Sequence, residues 1–410
     1  MKCAFLSFQP FLDPYPHGQA CASAAMLDAV SALANVELVY LTASEDLIRT
    51  SHLLRERFPA VSAVKVVNYQ PCVSCRTTLR YGARLLPASL GPLESERIRR
   101  VVAELHRDRS LDVVHYDTMT WLYVHPDSAS PTAPTVCSGT DASSLSHRTR
   151  AQFAVSPVER VRERVEALVF ERYERRYLPR ADVVHLTSAE DVRYLQSKGV
   201  GGVFRTVNMP LEDRWFLRRQ DGRPLGRRVL ASGQHSHAWY RTGLLRFLRG
   251  VWPAQISRFP DVALTVHSTH PVHETEAAAF AAPRTTLVGA VADFGSRFAD
   301  HGVFVHPLLG GSGQHNRLAI ALAQGACCLA TKAAVSGMGL TPFEDYLPLA
   351  DLSQGDAVRL GDVLENGDIA ARVAANGRRK MLSEFSTKAV GPRLMDLYRE
   401  AIDIGSERRA

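Results

Sequence analysis

The chain has 410 residues, which is too long for one ordinary hydrophobic core and suits two domains of roughly 150–200 residues each. With 46% hydrophobic and 22% charged residues, it can bury a large apolar surface, which excludes disorder as its main state. The net charge of +7 comes from basic residues that are spread along the chain without aromatic residues between them or the spacing of a nucleic-acid-binding motif, so we expect no nucleic-acid partner.

No apolar run reaches the ~18 residues of a membrane-spanning helix, and the apolar opening at residues 3–8 is too short for a secretory signal. We therefore expect a cytoplasmic protein, and the sequence leaves peripheral contact with a membrane open.

Seven cysteines, mostly in apolar segments, suit reduced and buried thiols. Cys72 and Cys75 have the spacing of a metal-binding pair, but no second pair completes four ligands, and no thioredoxin-like turn surrounds them. We expect no metal there.

The first half of the chain alternates short apolar runs with stretches of helical periodicity, which is typical of a parallel sheet with crossover helices. The predicted strands cover residues 2–8, 36–42, 63–67, 112–117, 134–137 and 181–187. The predicted helices cover residues 20–34, 94–107 and 158–178. Polar residues recur at the carboxyl ends of the strands, which is where ligands bind in doubly wound sheets.

The pattern lapses between residues 208 and 228, which we interpret as a linker or hinge. The alternation then restarts, with predicted strands at residues 228–231, 262–267, 286–288, 303–306 and 326–331. The predicted helices of this half cover residues 241–257, 293–298 and 314–324. The sequence therefore predicts two α/β domains of similar design, at residues 1–207 and 229–388.

The most informative segment is a predicted strand that begins at Val303, runs into a glycine-rich loop and opens a helix that carries Arg317 in its first turn. Glycines let the backbone approach a ligand, and a helix N-terminus carries partial positive charge, so a phosphate is well received there. Arg317 could close on the same anion. The glycines could equally do no more than shape a tight turn. The loop matches neither the P-loop nor the common dinucleotide fingerprint.

Residues 303–331 resemble the donor-binding signature of GT-B glycosyltransferases of the family 4 type. In that signature a proline, a glycine-rich turn and a basic residue precede an alanine-rich helix, a glycine and a strand that ends in threonine. Further points of resemblance are spread over nearly the whole chain: Ala181 and Asp182 with Ser188 and Asp191, Val207 and Asn208, and Phe385 and Ser386 with Leu394, Leu397 and Tyr398. Within the family, the chain most resembles sugar transferases associated with exopolysaccharide clusters.

The resemblance implies a GT-B fold: two Rossmann-like, doubly wound domains that face a cleft, with a C-terminal helix at residues 389–410 that crosses back to the first domain. It also implies a retaining glycosyltransferase with a nucleotide-sugar donor in the second domain and an acceptor in the first. The acceptor is unidentified and could be a glycan, a lipid-linked molecule or a small natural product. No D-x-D motif stands at a strand end of the first domain, so we expect no metal or other cofactor. Monomer and homodimer both stay open.

Two departures from the family pattern bear on activity. The family commonly has two glutamates around the glycine-rich turn, and this chain has Ser312 and Ile320 in their places. The Arg-x4-Lys pair that follows the first strand of the second domain is also missing. Neutralisation of the donor phosphates must then fall to backbone amides and to basic side chains: Arg317, His235 or His237, and Arg241. These losses keep two alternatives open, an enzyme with altered chemistry such as a nucleotide-sugar epimerase and a catalytically silent binding protein.

The candidate site residues follow from strand ends and from the resemblance. The candidate catalytic residues are His115, Asp117 and Asp141, each of which could instead cap a helix or turn. The candidate donor-binding residues are Gly18, Gln19, Gly233, His235, His237, Arg241, Gly289, Gly310, Gly311, Ser312, Gly313, Gln314, Asn316 and Arg317. Asp141 falls near the place where relatives carry a histidine that touches the sugar. His185 and His267 lie inside apolar strands, and we expect both to be hydrogen-bonded core histidines.

Overall fold

The computed structural model describes residues 1–13, 18–69, 86–87, 90, 93, 95–126, 133–216, 226–233, 238–268, 277–278, 280–289, 291 and 293–408. The chain divides into two compact units. Unit 1 comprises residues 1–148, 162–210 and 387–410, and unit 2 comprises residues 149–161 and 211–386. Residues 217–225 of the predicted linker, and Cys72 and Cys75, lie outside the described residues.

Unit 1 contains a seven-stranded parallel sheet in the order β3-β2-β1-β4-β5-β6-β7. Its strands are β1 (Lys2–Ser7), β2 (Asn35–Thr42), β3 (Ala63–Asn68), β4 (Val113–Tyr116), β5 (Thr135–Ser138), β6 (Val183–Leu186) and β7 (Phe204–Thr206). The helices along this part of the chain are α1 (Gly18–Ser31), α2 (Leu47–Arg57), α3 (Glu96–Arg107), α4 (Ser143–Phe153), α5 (Pro157–Tyr177) and α6 (Ala189–Ser197). Short 3-10 turns cover Met119–Tyr123 and Leu178–Arg180.

Unit 2 contains a six-stranded parallel sheet in the order β10-β9-β8-β11-β12-β13. Its strands are β8 (Arg228–Gly233), β9 (Ala263–Ser268), β10 (Thr285–Val288), β11 (Val303–His306), β12 (Cys327–Thr331) and β13 (Leu347–Leu349). The helices that follow β8 along the chain are α7 (Ala238–Gly250), α8 (Trp252–Arg258), α9 (Asn316–Ala323), α10 (Gln354–Glu365), α11 (Gly367–Glu384) and α12 (Thr387–Glu407). Short 3-10 turns cover Asp213–Phe216 and Gly295–Ala299.

Both sheets are covered by apolar side chains on their two faces, as parallel sheets require. The helix α12 belongs to unit 1 and packs on α1. Its Gly391 permits the close approach, since a Cβ there would lie 3.0 Å from the carbonyl oxygen of Ala29. The α/β, doubly wound fold class predicted from the sequence is confirmed, including the return of the last helix to the first unit.

Two predicted helices of unit 2 differ from the structure. The single helix predicted at residues 241–257 is interrupted at Val251, because Pro253, in the first turn of α8, has no N–H with which to continue the preceding helix. The helix predicted at residues 293–298 is a five-residue 3-10 turn, Gly295–Ala299. Among the described residues, no helix combines the length and the apolar composition that crossing a bilayer requires.

Candidate functional site

The strand order of each unit reverses direction beside its first strand, so the crossover connections diverge there and leave a crevice at the carboxyl ends. In unit 1 this switch point lies between β1 and β4, and in unit 2 it lies between β8 and β11. Ligands of doubly wound sheets bind at such points, so the two pairs of strand ends are the places to look for chemistry.

The switch point of unit 2 is bordered by the glycine-rich loop at residues 307–315, which leads from β11 into α9. Gly311 and Gly313 have φ angles of 140° and 66°, a region that favours glycine. A Cβ on Gly311 would lie 2.9 Å from the ring carbon Cε1 of His315. The side-chain amide of Gln314 donates a hydrogen bond to the carbonyl oxygen of Gly337 at 2.8 Å. The loop is therefore fixed by glycine conformation and by a tie to another loop.

Arg317, in the first turn of α9, reaches across this switch point. Its Nη1 donates a hydrogen bond of 2.9 Å to the hydroxyl oxygen of Ser232, which lies near the end of β8 and is buried. The guanidinium thus lies over the carboxyl end of the first strand of the unit. This is the position from which a cation can neutralise an anion bound at the loop.

The other candidate donor-binding residues of unit 2 fall into two groups. Gly233 ends β8 and Arg241 lies in the first turn of α7, and between them His235 and His237 lie outside the described residues. Gly310, Ser312 and Asn316 belong to the glycine-rich loop and the start of α9 with Arg317. The structure separates Gly289 from these groups, because it follows the edge strand β10, two strands from β8.

The switch point of unit 1 is closed by hydrogen bonds. Asp117 follows β4 and is buried, with one carboxylate oxygen accepting from the Ser7 hydroxyl at 2.6 Å and the other from the Trp121 indole N–H at 3.0 Å. Burial raises its pKa to about 7, and the hydrogen bonds from Ser7 and Trp121 oppose that rise. Both oxygens are used inside the unit. Asp117 therefore links the end of β1 to the turn that follows β4, and neither of its carboxylate oxygens is exposed.

His115 lies in the interior of unit 1, within a chain of hydrogen bonds. Its Nδ1 is 2.6 Å from the Tyr398 hydroxyl and its Nε2 is 2.9 Å from the Ser138 hydroxyl, which in turn lies 2.9 Å from Nδ1 of His185. His185 Nε2 must donate to the carbonyl oxygen of Val207 at 2.8 Å, and this fixes the donor of every other bond in the chain.

Working back from that carbonyl, Ser138 donates to His185, His115 donates to Ser138, and Tyr398 donates to His115. Burial lowers the pKa of His115 to about 3 and that of His185 to about 4. The prediction that His185 is a hydrogen-bonded histidine of the core is confirmed. In this structure His115 has the same role, because both of its ring nitrogens are hydrogen-bonded within the core.

Asp141 lies in the loop between β5 and α4 and is partly exposed. Thr140 donates a hydrogen bond of 3.2 Å to its carboxylate. The loop is anchored where it meets α4, since Asp191 accepts from the Ala142 N–H at 3.3 Å and Glu174 accepts from the Ser144 backbone N–H at 3.0 Å. Of the three candidate catalytic residues, Asp141 is the one whose side chain is not enclosed in the core.

Two further features of unit 1 lie at the carboxyl ends of β1 and β2. Gly18 and Gln19 begin α1, with Gly18 exposed and Gln19 partly buried. A cavity of about 420 Å³ is lined by Pro10, Leu12, Asp13, Tyr40, Thr42, Ser44, Asp46, Arg49, Thr50 and Leu53. Its polar and aromatic lining suits a hydroxyl-rich or charged ligand.

Sequence reasoning missed two histidines of unit 2 and misjudged a third. His267, expected to be hydrogen-bonded, is buried with no partner for either ring nitrogen in the described part of the chain, so that prediction is wrong. His306 is in the same state, and Nε2 of His315 is buried without a partner as well. The available signal was a histidine near the carboxyl end of two apolar strands, β9 and β11.

Comparison with solved structures shows which fold this is. HepE from Anabaena, solved with UDP and glucose, is 14% identical, with a TM-score of 0.64 over 97% of this chain and 99% of that chain. Sucrose-phosphate synthase from Thermosynechococcus elongatus is 15% identical, with a TM-score of 0.67 over 98% of this chain and 99% of that chain. A variant of S. aureus TarM, solved with fondaparinux, alpha-GlcNAc-glycerol and UDP, is 9% identical, with a TM-score of 0.70 over 97% of this chain and 99% of that chain.

These proteins are GT-B glycosyltransferases, and at such identities the likeness shows the fold alone. The chain therefore has the GT-B fold that the sequence predicts. No protein-family model and no curated protein sequence matches it, so the exopolysaccharide-associated subgroup stays a prediction.

Proposed function

We propose that this chain is a glycosyltransferase that moves a sugar from a nucleotide-activated donor to an acceptor, with retention of the sugar's anomeric configuration. The observation that carries the proposal is the switch point of unit 2, where a glycine-rich loop opens α9 and Arg317 lies over the end of β8 on Ser232. The fold supports it, since HepE with this fold was solved with UDP and with UDP-glucose.

The donor's diphosphate is the part for which unit 2 offers the clearest chemistry. The N-terminus of α9 supplies partial positive charge, and Arg317 supplies a full one from the same helix turn. As the bond between sugar and diphosphate breaks, negative charge grows on the leaving phosphate, and fixed donors already aimed at that place stabilise it. Arg317 and the loop would therefore act both in donor binding and in the transfer step.

Retention needs no strong base from the protein. The leaving diphosphate can accept the acceptor's proton on the face from which it departs. This fits unit 1, where Asp117 and His115 have their polar atoms committed to core hydrogen bonds. Asp141 keeps an accessible carboxylate, and we assign it the orientation of the transferred sugar.

The donor's ribose must be recognised in an unusual way. Ile320, at the place of the family's second glutamate, is buried in an apolar cluster with Phe304 and Leu318 and can offer no hydrogen bond. The first glutamate's place is taken by Ser312, whose hydroxyl is a weaker partner than a carboxylate. We propose that the acceptor binds the polar cavity of unit 1 lined by Asp13, Tyr40 and Arg49.

The test is incubation of the protein with UDP-glucose, GDP-glucose, ADP-glucose and dTDP-glucose. Each donor is supplied with and without a panel of acceptors, and in the presence and absence of EDTA. Nuclear magnetic resonance of the products reports the anomeric configuration. We expect transfer from one donor, unaffected by EDTA, with the configuration kept. Inverted product would contradict retention, loss of transfer on chelation would contradict metal independence, and epimerised sugar without transfer would favour the epimerase alternative.

A further inference from the structure

Three residues near the carboxyl ends of neighbouring strands of unit 2 lie in one row. Ser232 of β8 pairs in register with His267 of β9, and on the other side Ala231 pairs with Val305 of β11. His306 is therefore level with Ser232. Side chains that are level on neighbouring parallel strands point to the same face of the sheet, so His267, Ser232 and His306 form a continuous row across the switch point.

Aromatic rings hold this row in place, and further polar groups meet it. Phe294 lies 5.0 Å from the His267 ring, and Phe304 stacks on His306 at 5.6 Å between ring centroids. The rings of Tyr240 and His315 lie 5.7 Å and 5.9 Å from the ring of His306. Arg317 reaches the middle of the row through its bond to Ser232.

Five ring nitrogens around this row are buried without a hydrogen-bond partner in the described residues: both of His267, both of His306 and Nε2 of His315. His306 is 0% exposed and His267 is 2% exposed, so water at the surface cannot satisfy them. Buried polar groups are nearly always paired in folded proteins, because an unpaired one costs about 1–3 kcal/mol. So many orphaned nitrogens in one place indicate a ligand that bonds them.

The charges around the row indicate the sign of that ligand. The ionised groups that act most strongly on the three histidines are the guanidinium groups of Arg317 and Arg297. Tyr240 also faces the row, and burial raises the pKa of its hydroxyl and keeps it neutral. Positive groups and unsatisfied ring nitrogens in a dry place form a site for an anion.

We propose that His267, His306 and His315 bind, together with Arg317, a phosphoryl group of the donor's diphosphate, and that this histidine row takes up a proton from solvent as the anion binds. This deepens the proposed function and rests on it only for the identity of the ligand. The histidines would thus replace the basic pair that this chain lacks after β8.

The proton uptake follows from how a histidine bonds. A neutral imidazole has one N–H donor, whereas the protonated ring has two. Burial and the nearby Arg317 lower the pKa of His267 to about 3 and of His315 to about 4, so the free protein holds the rings neutral at pH 7. A bound phosphoryl group is an opposite charge at short range and raises these pKa values. Affinity should therefore rise as the pH falls.

The test is calorimetric titration with the four nucleotide sugars at pH 6 and pH 8, in buffers with different heats of ionisation. Both phosphates of a nucleotide sugar are esterified and keep fixed charges over this range, so any proton taken up comes to the protein. We expect one sugar nucleotide to bind at least about threefold more tightly at pH 6, with proton uptake. Inorganic pyrophosphate, which has neither base nor sugar, is titrated in parallel at one pH.

The variants are His306→Gln, His267→Asn and His315→Gln. Each supplies a side-chain amide that can form hydrogen bonds but cannot be protonated. The ring of His315 is less enclosed than those of His306 and His267, so its replacement should disturb folding least. The matched control is His301→Gln, a histidine of the same unit with both ring nitrogens bonded, to Arg297 and Thr265. We expect each of the three variants to weaken binding about tenfold at pH 6 and to reduce proton uptake. The control should change neither. Circular dichroism checks that each variant folds. If His306→Gln and His267→Asn do not fold, the binding result for His315→Gln decides the test.

The outcomes separate the two proposals. Sugar transfer together with unchanged binding and proton uptake in the variants would overturn the histidine row and leave the proposed function standing. Pyrophosphate binding that needs the histidines, without turnover of any nucleotide sugar, would support the row and contradict the proposed function. Failure of all four nucleotide sugars and of pyrophosphate to bind the unaltered protein would overturn the row.

Discussion

The two units have the same strand order around their switch points, yet their strand ends carry opposite chemistry. In unit 1 the Ser7 hydroxyl, at the end of β1, donates to a buried carboxylate, Asp117, and Trp121 satisfies the other oxygen. In unit 2 the Ser232 hydroxyl, near the end of β8, accepts from a guanidinium, Arg317, and the histidine beside it has no partner in the described residues.

The strand topology therefore provides a place for a ligand in both units, and the hydrogen bonds made within each unit decide whether that place is used. At the switch point of unit 1 both oxygens of the buried Asp117 carboxylate are bonded within the unit, so this carboxylate needs no ligand. The switch point of unit 2 is incomplete and positive, so it favours an anion. If this contrast is correct, substitutions in the two units should have different effects, and the largest effect on ligand binding should come from unit 2.

Removing the cation of unit 2 should have the largest effect. We expect Arg317→Ala to weaken binding of the preferred nucleoside diphosphate tenfold or more, because a charge-assisted hydrogen bond is worth about 1.5–3 kcal/mol. Calorimetry measures this directly. The control is Arg227→Ala, which removes an arginine of the same unit that pairs with Asp261 at the surface. Equal affinity of the two variants would contradict the assignment of Arg317.

Breaking the hydrogen-bond chain of unit 1 should cost stability and leave ligand binding intact. Tyr398→Phe removes the hydroxyl that donates to Nδ1 of His115 and leaves that nitrogen buried and unpaired. We expect a loss of about 1–3 kcal/mol in the free energy of unfolding, measured in urea. Nucleoside diphosphate affinity should not change. A loss of affinity with full stability would mean that His115 belongs to the binding machinery.

Altering the partly exposed carboxylate of Asp141 in unit 1 should affect turnover and not donor affinity. We expect Asp141→Asn to lower kcat about tenfold, since a poorly oriented sugar reacts slowly. Nucleoside diphosphate affinity should stay within twofold of the unaltered protein. Steady-state kinetics and calorimetry on the same preparations separate the two. If affinity and folding stability fall together, Asp141 is a structural residue of the loop before α4.

The buried carboxylate of unit 1 should show itself in the pH dependence of stability. The pKa of Asp117 is raised from 3.8 to about 7, so the folded state holds a proton that the unfolded chain releases. The stability that this bound proton contributes is present in full below the pKa of the unfolded state and is lost as the pH rises through the pKa of the folded state. Asp117→Asn keeps the side chain's shape and removes the titration.

We therefore compare the free energy of unfolding of Asp117→Asn with that of the unaltered protein. We expect this difference to shift by about 1 kcal/mol in favour of Asp117→Asn between pH 6 and pH 7.5. Urea unfolding at the two pH values provides the measurement. The surface carboxylate Asp261 offers the control, and Asp261→Asn should show no such gain. If Asp117→Asn and Asp261→Asn behave alike, the carboxylate of Asp117 is already ionised in the folded protein.

The fold could be predicted from the sequence because parallel strands are continuous apolar runs. The runs at residues 2–8 and 303–306 match β1 and β11 to within a residue or two. The glycine-rich loop and Arg317 could be found for a similar reason, because glycine and helix start signals are local. Failures arose where tertiary packing decides. A buried histidine looks the same in sequence whether or not a partner meets it, so His185 and His267 could not be told apart.

The same limit applies to the candidate catalytic residues. A polar residue at a strand end can point to a ligand or into the core, and the sequence of β4 does not distinguish these cases. His115 and Asp117 point into the core, because α12 supplies Tyr398 to one and the turn after β4 supplies Trp121 to the other. These partners are distant in sequence or hidden in an irregular turn, so no local pattern announces them.

Hydrogen–deuterium exchange can show whether the switch point of unit 2 binds the diphosphate. The protein is labelled with and without the preferred nucleoside diphosphate, and exchange is followed by peptide mass spectrometry. We predict slower exchange at the glycine-rich loop, at residues 307–315, and in the first turn of α9, with the β1 and β4 ends of unit 1 unchanged. Protection at the β1 and β4 ends without protection of the loop would contradict the claim.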